Sequence, residues 1–288
     1  MVKKYSELYL DARRQLLAQM DEPDAANCAR QLLMAASGKS MEAIVTDRNI
    51  YASEEIEQKL TDSVRRILSD EPLAYVLGEW DFYGMTLRVT PDVLIPRDDT
   101  AAVTELAIEH AIGLRREPRI LDLCAGSGCI GLALARQIKN ARVVLGELSP
   151  AALRVAKSNV AGQKLSGRIT CMAVDAMQPA MPFLGKFDMI VSNPPYVTTA
   201  EMDTLPRSVK EFEPHMALHG GEDGLDFYRA IAANFTHALG PDGLLCLEFG
   251  MGQENGVARI LQQAGYEIVQ WKQDASQIIR AVCARKRG

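Results

Sequence analysis

The 288-residue chain lacks a run of about eighteen uncharged apolar residues, which is what a membrane-spanning helix requires. Its first residues, Met1-Val2-Lys3-Lys4-Tyr5-Ser6-Glu7, pass from basic to acidic sequence without the apolar segment of a secretory signal. We therefore expect a cytoplasmic protein that does not associate with a membrane. The 48% hydrophobic content can fill a sizeable core, which predicts a globular fold.

Cysteine motifs are also missing, because the six cysteines are scattered and form no C-x-x-C pair. Several of them lie in apolar runs, where a free thiol packs as a small hydrophobic side chain. We therefore expect neither a disulfide framework nor a metal site. The six are Cys28, Cys124, Cys129, Cys171, Cys246 and Cys283.

Positive charge is not in excess, since 32 Lys and Arg residues face 37 Asp and Glu residues, for a net charge of −5. Such a chain exerts no bulk attraction on a polyanion, so we expect no direct binding of nucleic acid. The basic end Arg285-Lys286-Arg287 is a candidate for a local basic patch, although short charged termini are usually only solvated.

A helical period in residues 3–71 predicts four short helices, which form a small bundle in a first domain over residues 1–72. This domain is either a packing accessory or a partner-recognition domain. Aromatic and β-branched residues with interspersed glycines then predict a linking β-hairpin within residues 73–97, including Tyr75-Val76-Leu77. The predicted breaks and caps of the helices are Glu22-Pro23-Asp24, Gly38, Ser40, Ser53 and Pro72.

Residues 98–288 alternate between strand-like and helix-like runs, which predicts an α/β domain with a mostly parallel sheet and helices on both faces. The last two strand-like runs follow each other closely, as an antiparallel edge would. The predicted strands are 119–124, 142–147, 168–174, 187–193, 243–249, 266–271 and 278–284. The predicted helices are 100–115, 129–138, 150–162, 224–239 and 252–264.

A glycine-rich loop, Gly126-Ser127-Gly128-Cys129-Ile130-Gly131, lies between a predicted strand and a predicted helix. In this context glycines allow a tight turn and a close approach of the backbone to a nucleotide-like ligand. Glu147 ends the next strand, where a carboxylate can bind both hydroxyls of a ribose. Asp122 would repel a pyrophosphate and attract a sulfonium or ammonium group, which favours S-adenosylmethionine over NAD. The alternative is a glycine turn that binds nothing.

Asp175 follows the third strand, where its carboxylate is either a partner for the adenine amine or a simple turn residue. Asn193-Pro194-Pro195-Tyr196 follows the fourth strand, and open α/β sheets bind ligands at such strand ends. A planar NH2 group can donate to the Asn193 side-chain oxygen and to the Pro194 carbonyl, while Tyr196 packs on its flat face. The pattern therefore predicts methyl transfer to nitrogen; the alternative is a strand-terminating turn.

With these motifs the chain resembles the bacterial release-factor glutamine N5-methyltransferases, often called PrmC or HemK. The resemblance covers essentially the whole chain and implies a Rossmann-like class I methyltransferase domain with a seven-stranded sheet. The further segments that carry the resemblance are Val93-Leu94-Ile95-Pro96-Arg97, Glu213-Pro214, Ala217-Leu218-His219-Gly220-Gly221-Glu222-Asp223-Gly224-Leu225 and Leu247-Glu248-Phe249-Gly250 with Gln253.

The resemblance implies methylation of the glutamine in the Gly-Gly-Gln motif of peptide chain release factors, with S-adenosylmethionine as cofactor. It places catalysis at Asn193, Pro194, Pro195 and Tyr196. Asp122, Gly126, Ser127, Gly128, Glu147, Asp175 and Asn193 form the expected cofactor site. We expect a monomer.

The chain departs from the family pattern in two places, residues 98–101 and Glu147. Asp98-Asp99-Thr100-Ala101 lacks the usual proline before Asp99-Thr100 and the usual acid after this pair, so no family role is carried over to residues 98 and 101. Glu147 stands where many relatives have Asp, and either acid can bind a ribose.

Four alternatives remain from the sequence. Two share the chemistry: methylation of a ribosomal-protein glutamine and N6-methylation of adenine in nucleic acid, for which the chain shows no basic surface. A non-catalytic S-adenosylmethionine-binding protein leaves the intact Asn193-Pro194-Pro195-Tyr196 unexplained. A dinucleotide-dependent oxidoreductase leaves Asp122 unexplained as well.

Overall fold

The computed structural model describes residues 3–113 and 117–287. Two compact units make up the chain, one formed by Met1–Glu79 with Arg207–Phe212 and the other by Trp80–Pro206 with Glu213–Gly288. The helices are α1 Tyr5–Leu16, α2 Glu22–Ser37, α3 Met41–Thr46, α4 Glu54–Leu68, α5 Leu73–Leu77, α6 Thr100–Ile112, α7 Cys129–Gln137, α8 Pro150–Gly162, α9 Thr199–Met202, α10 Arg207–Phe212, α11 Asp226–Asn234 and α12 Glu254–Gln263. The strands are β1 Glu79–Phe82, β2 Met85–Arg88, β3 Arg119–Leu123, β4 Arg142–Glu147, β5 Ile169–Ala173, β6 Phe187–Ser192, β7 Leu239–Glu248, β8 Tyr266–Gln273 and β9 Ile279–Lys286.

The first unit is a helical bundle around a core that α1, α2 and α4 supply. The predicted caps are confirmed: the Ser40 side chain accepts from the backbone of Ala43, and that of Ser53 accepts from Ile56. Gly38 ends α2 in the left-handed region with φ 67°. The helix α10 joins this unit although it is distant in sequence, and Arg207 pairs with Asp70 at 3.0 Å.

The assignment of Tyr75-Val76-Leu77 to the hairpin is wrong, because these residues form the helix α5. Pro72 precedes the helix with φ −57°, and Gly78 ends it with φ 78°. Arg66 donates to the carbonyl oxygens of Tyr75 and Val76 at 3.2 and 3.5 Å. Because Val76 and Leu77 pack against the bundle core, tertiary contacts decide the conformation against the β propensity of the segment.

The hairpin itself is confirmed in β1 and β2, which Tyr83-Gly84 joins with φ values of 49° and 70°. The hairpin packs on α8 through Asn159. The Asn159 side chain accepts from Arg88 N at 2.7 Å and donates to Arg88 O at 3.0 Å.

The second unit contains a seven-stranded sheet in the order β5-β4-β3-β6-β7-β9-β8. The strands β3 to β7 pair in parallel, and β9 is antiparallel to both β7 and β8. The predicted mostly parallel sheet with an antiparallel edge is therefore confirmed. The strand β7 begins at Leu239, whereas the sequence predicted a start at residue 243. The helix α6 extends from Thr100 to Ile112. Residues 114 and 115 of that predicted helix lie outside the described residues.

Both faces of the sheet are buried. The helices α6, α7 and α8 cover one face together with the hairpin, while α11 and α12 cover the other. The strands β3, β4 and β6 end side by side, because Leu123 pairs with Gly146 on one side and with Ser192 on the other. Because β4 and β6 lie on opposite sides of β3, the strand order reverses at β3. Open α/β sheets bind ligands at the carboxyl ends of the strands at such a point.

Candidate active site

A cavity with about 950 Å³ of empty space up to its open mouth lies at the carboxyl ends of these strands. Its walls come from the glycine-rich loop, the end of β4, the segment after β5, the turn after β6, and residues 92–97. The segments of these walls, which the sequence separates by up to about 100 positions, therefore meet around one space.

The glycine-rich loop has the backbone that its sequence predicts. Gly126 and Gly128 have φ values of 53° and 82°, a region that L side chains rarely adopt. A Cβ atom at Gly128 would also lie 2.8 Å from a methyl carbon of Leu145. Gly126 and Ser127 line the cavity, whereas Gly128 is part of the turn but not of the cavity lining. The loop can therefore present its backbone to a ligand at short range.

Glu147 lines the cavity at the end of β4, as predicted. One carboxylate oxygen accepts from Gly126 N at 2.9 Å, and the other accepts from Ser149 N at 2.8 Å. Each carboxylate oxygen has a second lone pair, so both can accept another hydrogen bond from a ligand. The carboxylate is thus fixed in place and can bind a vicinal diol.

Asp122 lies below the loop rather than in the cavity wall and is 1% exposed. Its Oδ2 accepts from Gly131 N at 2.8 Å, while its Oδ1 has no hydrogen-bond partner within the described residues. Burial, with a smaller contribution from the charge of Glu147, raises the pKa of Asp122 to about 8, and the Gly131 hydrogen bond opposes this. The side chain anchors the first turn of α7 to β3, an arrangement that sequence reasoning did not foresee.

Asp175 lies just beyond β5, and one of the two roles considered for it, that of a turn residue, is observed. Its side chain accepts from Met177 N at 2.8 Å, which makes it a turn residue. It also lines the cavity. A carboxylate at this wall can accept a hydrogen bond from an amino group.

Asn193 and Pro195 line the cavity directly after β6. The preceding residue, Ser192, donates its hydroxyl to Leu123 O at 2.5 Å and so joins the ends of β6 and β3. The Asn193 amide donates through Nδ2 to the Thr100 hydroxyl at 3.2 Å. This contact leaves Asn193 Oδ1 as an acceptor for a ligand in the cavity.

Pro194 and Tyr196 are not among the residues that line the cavity. Tyr196 is held by Gln253, whose Nε2 donates to Tyr196 O at 3.0 Å and to Gly224 O at 3.4 Å. Gln253 Oε1 accepts from Gly250 N at 2.9 Å. Burial raises the pKa of the Tyr196 hydroxyl, which therefore stays protonated. Gln253 thus links the Asn-Pro-Pro-Tyr turn to the segments that contain Gly224 and Gly250.

Gly220 packs against the same corner so closely that no side chain fits. A Cβ atom there would lie 2.7 Å from both Pro195 O and Tyr196 Cα. The amide of Gly220 donates to Val197 O at 2.8 Å, and Val197 N donates to Leu218 O at 2.9 Å. The Gly-Gly-Glu-Asp-Gly-Leu segment therefore braces the backbone of the Asn-Pro-Pro-Tyr turn.

Two further contacts support the site. Asn159, 4% exposed, donates to Ser127 O at 2.9 Å and links the glycine-rich loop to the hairpin. No sequence signal marks this helix residue. Arg97 in the cavity wall forms an ion pair with Glu213, whose other oxygen accepts from Ile95 N at 3.3 Å. Both residues lie in motifs that carry the family resemblance.

The strand order, the loop after the first strand of the sheet, the acid after the next strand and the Asn-Pro-Pro-Tyr corner define a Rossmann-like methyltransferase. The family model for the methyltransferase small domain matches residues 99–217, and that for the PrmC N-terminal domain matches residues 7–78.

The release factor glutamine methyltransferase of Geobacter sulfurreducens is 38% identical over 281 residues, covering 96% of this chain and 95% of the relative. That of Bradyrhizobium diazoefficiens is 36% identical, covering 96% and 92%. A methyltransferase structure from Pyrococcus furiosus is 16% identical with a TM-score of 0.51, covering 78% of this chain and 98% of that one, and shares the fold. The chain belongs to the release factor glutamine methyltransferase family.

Within residues 3–113 and 117–287, no helix is long and apolar enough to cross a membrane. The same part of the chain has no cluster of three or more His, Cys, Asp or Glu side chains that could hold a metal ion. All six cysteines are free thiols.

Proposed function

We propose that this protein transfers a methyl group from S-adenosylmethionine to the side-chain amide nitrogen of the glutamine in the Gly-Gly-Gln motif of peptide chain release factors. The observation that carries the proposal is the cavity in which Asn193, the glycine-rich loop and Glu147 meet. Membership of the family supports the choice of a glutamine in a release factor as the acceptor.

The residues of the cavity fit S-adenosylmethionine. Glu147 has free lone pairs for the ribose hydroxyls, and Asp175 can accept from the adenine amine. Gly126 and Ser127 offer backbone at close range, with Gly128 shaping the turn. The bound cofactor would supply an electrophilic methyl group on a sulfonium.

Asp122 acts on this site from below, by holding the start of α7. Asn193 would lie between the bound cofactor and the substrate glutamine, where its side chain can contact both. These residues, Asp122, Gly126, Ser127, Gly128, Glu147, Asp175 and Asn193, form the proposed cofactor site.

The turn after β6 would hold the acceptor amide. One N–H of the glutamine would donate to Oδ1 of Asn193, which lines the cavity, while Pro195 stiffens the turn. The sequence motif, rather than the cavity lining, supports the Pro194 carbonyl as the acceptor for the other N–H and Tyr196 as the ring that packs on the amide plane. An amide nitrogen is a poor nucleophile, and two hydrogen bonds to it increase its electron density and fix its direction of attack. The new N–C bond forms as the S–C bond breaks, and the amide proton then leaves to solvent.

The acceptor determines the expected setting of the enzyme. Release factors act on cytoplasmic ribosomes, so we place the protein in the cytoplasm, as a monomer that binds its substrate without direct contact to nucleic acid. The net charge of −5 supports the last point. The helical bundle of the first unit is the proposed substrate-recognition domain.

The test is transfer of labelled methyl from S-adenosylmethionine to a purified release factor, beside a factor whose Gly-Gly-Gln glutamine is replaced by alanine. We expect label on the normal factor alone. Label on both factors would place the methyl group on another residue. No label on either, with cofactor binding demonstrated, would refute the proposal and favour a ribosomal-protein glutamine or an adenine as acceptor.

A further inference from the structure

We propose that Thr100 and Glu248 hold the side-chain amide of Asn193 in the one orientation that turns Oδ1 towards the acceptor. The inference rests on the proposed function, because it concerns how the acceptor amide is held. Thr100 is the first residue of α6, and Glu248 is the last residue of β7. Neither lies in the Asn-Pro-Pro-Tyr motif.

An asparagine amide can flip by 180° with little change of shape, which exchanges an oxygen acceptor for an NH2 donor. In one orientation the side-chain oxygen of Asn193 accepts a hydrogen bond from the NH2 group of the substrate glutamine. In the other orientation the NH2 group of Asn193 faces that NH2 group, and two donors cannot form a hydrogen bond. Only the first flip stabilises the acceptor glutamine. A group on the protein side of Asn193 must therefore decide between them.

The Thr100 hydroxyl supplies this selection from a buried position. Thr100 is 2% exposed, and its hydroxyl accepts from Asn193 Nδ2 at 3.2 Å. A hydroxyl that accepts this bond still has its own proton to donate. The carboxyl group of Glu248 can accept a hydrogen bond from the Thr100 hydroxyl, because it interacts with the Thr100 side chain.

Glu248 is 1% exposed, and its carboxyl interacts with the side chains of both Thr100 and Asn193. Both interactions lower the pKa of Glu248, as donors to a carboxyl group do, although burial raises this pKa more, to about 8. A pKa of about 8 leaves one carboxyl oxygen of Glu248 protonated near neutral pH, and Oε2, which has no hydrogen-bond partner within the described residues, can carry this proton. The other oxygen is then the acceptor next to Thr100 and Asn193, so that Asn193 donates and Thr100 donates onward. The reversed flip would set Asn193 Oδ1 against these two acceptors.

The charged neighbours of Glu248 are themselves paired. Arg280 from β9 binds Asp99 at 3.0 Å and Asp274 at 3.1 Å, and Arg280 and Asp99 oppose each other in their effect on Glu248. Glu248 Oε2 has no hydrogen-bond partner within the described residues. The carboxyl is therefore not committed to an ion pair of its own and serves the Thr100 and Asn193 contacts.

The test uses Thr100→Val, which removes the hydroxyl and keeps the shape. Loss of one such hydrogen bond predicts a fall of about tenfold in kcat for the release factor. The affinity for S-adenosylmethionine and the melting temperature should stay near the wild-type values. Thr100→Ser restores the hydroxyl and should return kcat to within about threefold of wild type.

Thr104→Val is the matched control. Thr104 lies one turn further along α6, is also fully buried, and donates its hydroxyl to Thr100 O at 2.8 Å rather than to Asn193. It should retain kcat. If Thr100→Val and Thr104→Val lowered kcat equally, or if Thr100→Val kept full activity, the positioning role would be overturned.

A second readout separates this inference from the proposed function. The side-chain NH2 signals of Asn193, identified in NMR spectra by their loss in Asn193→Ala, should be protected from solvent exchange in the wild type. They should lose protection in Thr100→Val and in Glu248→Leu. Protected signals in an enzyme that leaves release factors unmethylated would refute the proposed function alone. Unprotected signals in the wild type would refute the positioning role alone.

Discussion

Glu147 accepts a hydrogen bond of 2.9 Å from the backbone amide of Gly126, 21 residues earlier in the chain. The bond joins the end of β4 to the glycine-rich loop after β3. The carboxylate thus shapes the loop and faces the cavity at the same time. A change at this residue should affect the cofactor site through both routes.

We expect Glu147→Ala to weaken S-adenosylmethionine binding by about tenfold to a hundredfold, because hydrogen bonds to a charged group contribute about 1.5–3 kcal/mol. The value of kcat at saturating cofactor should change little. Isothermal titration calorimetry measures the first quantity and steady-state kinetics the second. Glu267→Ala, at an exposed position on β8, is the control. Unchanged affinity in Glu147→Ala would remove Glu147 from the ribose site.

Asn193→Ala should nearly abolish turnover, with a fall in kcat of at least about a hundredfold, because the acceptor amide loses the group that orients it. The affinity for cofactor should remain within about threefold of wild type. The exposed Asn255→Ala should behave as wild type in both measurements. Full activity in Asn193→Ala would show that the acceptor amide is positioned by other residues.

The elements of the site that the sequence predicts are those with a local signature. Glycines between a strand and a helix predict the loop, and an acid or an Asn-Pro-Pro turn after an apolar run predicts a functional strand end. Because parallel strands end at one edge of a sheet, the predicted topology already implied that the residues after these strands lie close together. Gly126, Glu147 and Asn193 meet at one cavity for this reason.

The partners of these residues could not be predicted, because they are brought in by tertiary contacts without a local pattern. Thr100 reaches Asn193 across 93 residues, and Asn159 reaches Ser127 across 32. Asp122 was expected to attract a cationic ligand, but a sequence does not report the depth at which a carboxyl lies. Burial likewise decided the helical state of Tyr75-Val76-Leu77.

Gly220→Ala should impair catalysis through the Asn-Pro-Pro-Tyr turn. The new methyl group would lie 2.7 Å from Pro195 O and Tyr196 Cα, and backbone atoms can yield only if the turn itself moves. We expect a stability loss of about 1–3 kcal/mol, as in other overpacked sites, and a fall of about tenfold in kcat. Thermal unfolding and steady-state kinetics measure these effects. Gly167→Ala, with no atom within 4 Å of the added Cβ, is the control, and equal behaviour of the two variants would contradict the close approach.

Asp122 should make the protein less stable as the pH rises. Its pKa lies near the usual aspartate value of 3.8 in the unfolded chain and at about 8 in the folded one, mainly because of burial. Between these values the folded state binds the extra proton. The stability that the protonated form contributes is therefore fully present below pH 3.8 and is lost as the pH rises towards 8.

The comparison with Asp122→Asn isolates this contribution, because an amide does not titrate and its oxygen can still accept from Gly131 N. The free energy of unfolding, measured with urea at several values between pH 5 and pH 8, should fall more steeply in the wild type, by up to about 1.4 kcal/mol per pH unit. Glu248 remains in both proteins and contributes equally to both slopes. Parallel curves would mean that Asp122 ionises at its usual pKa, which would require solvent or a cation at its unpaired Oδ1.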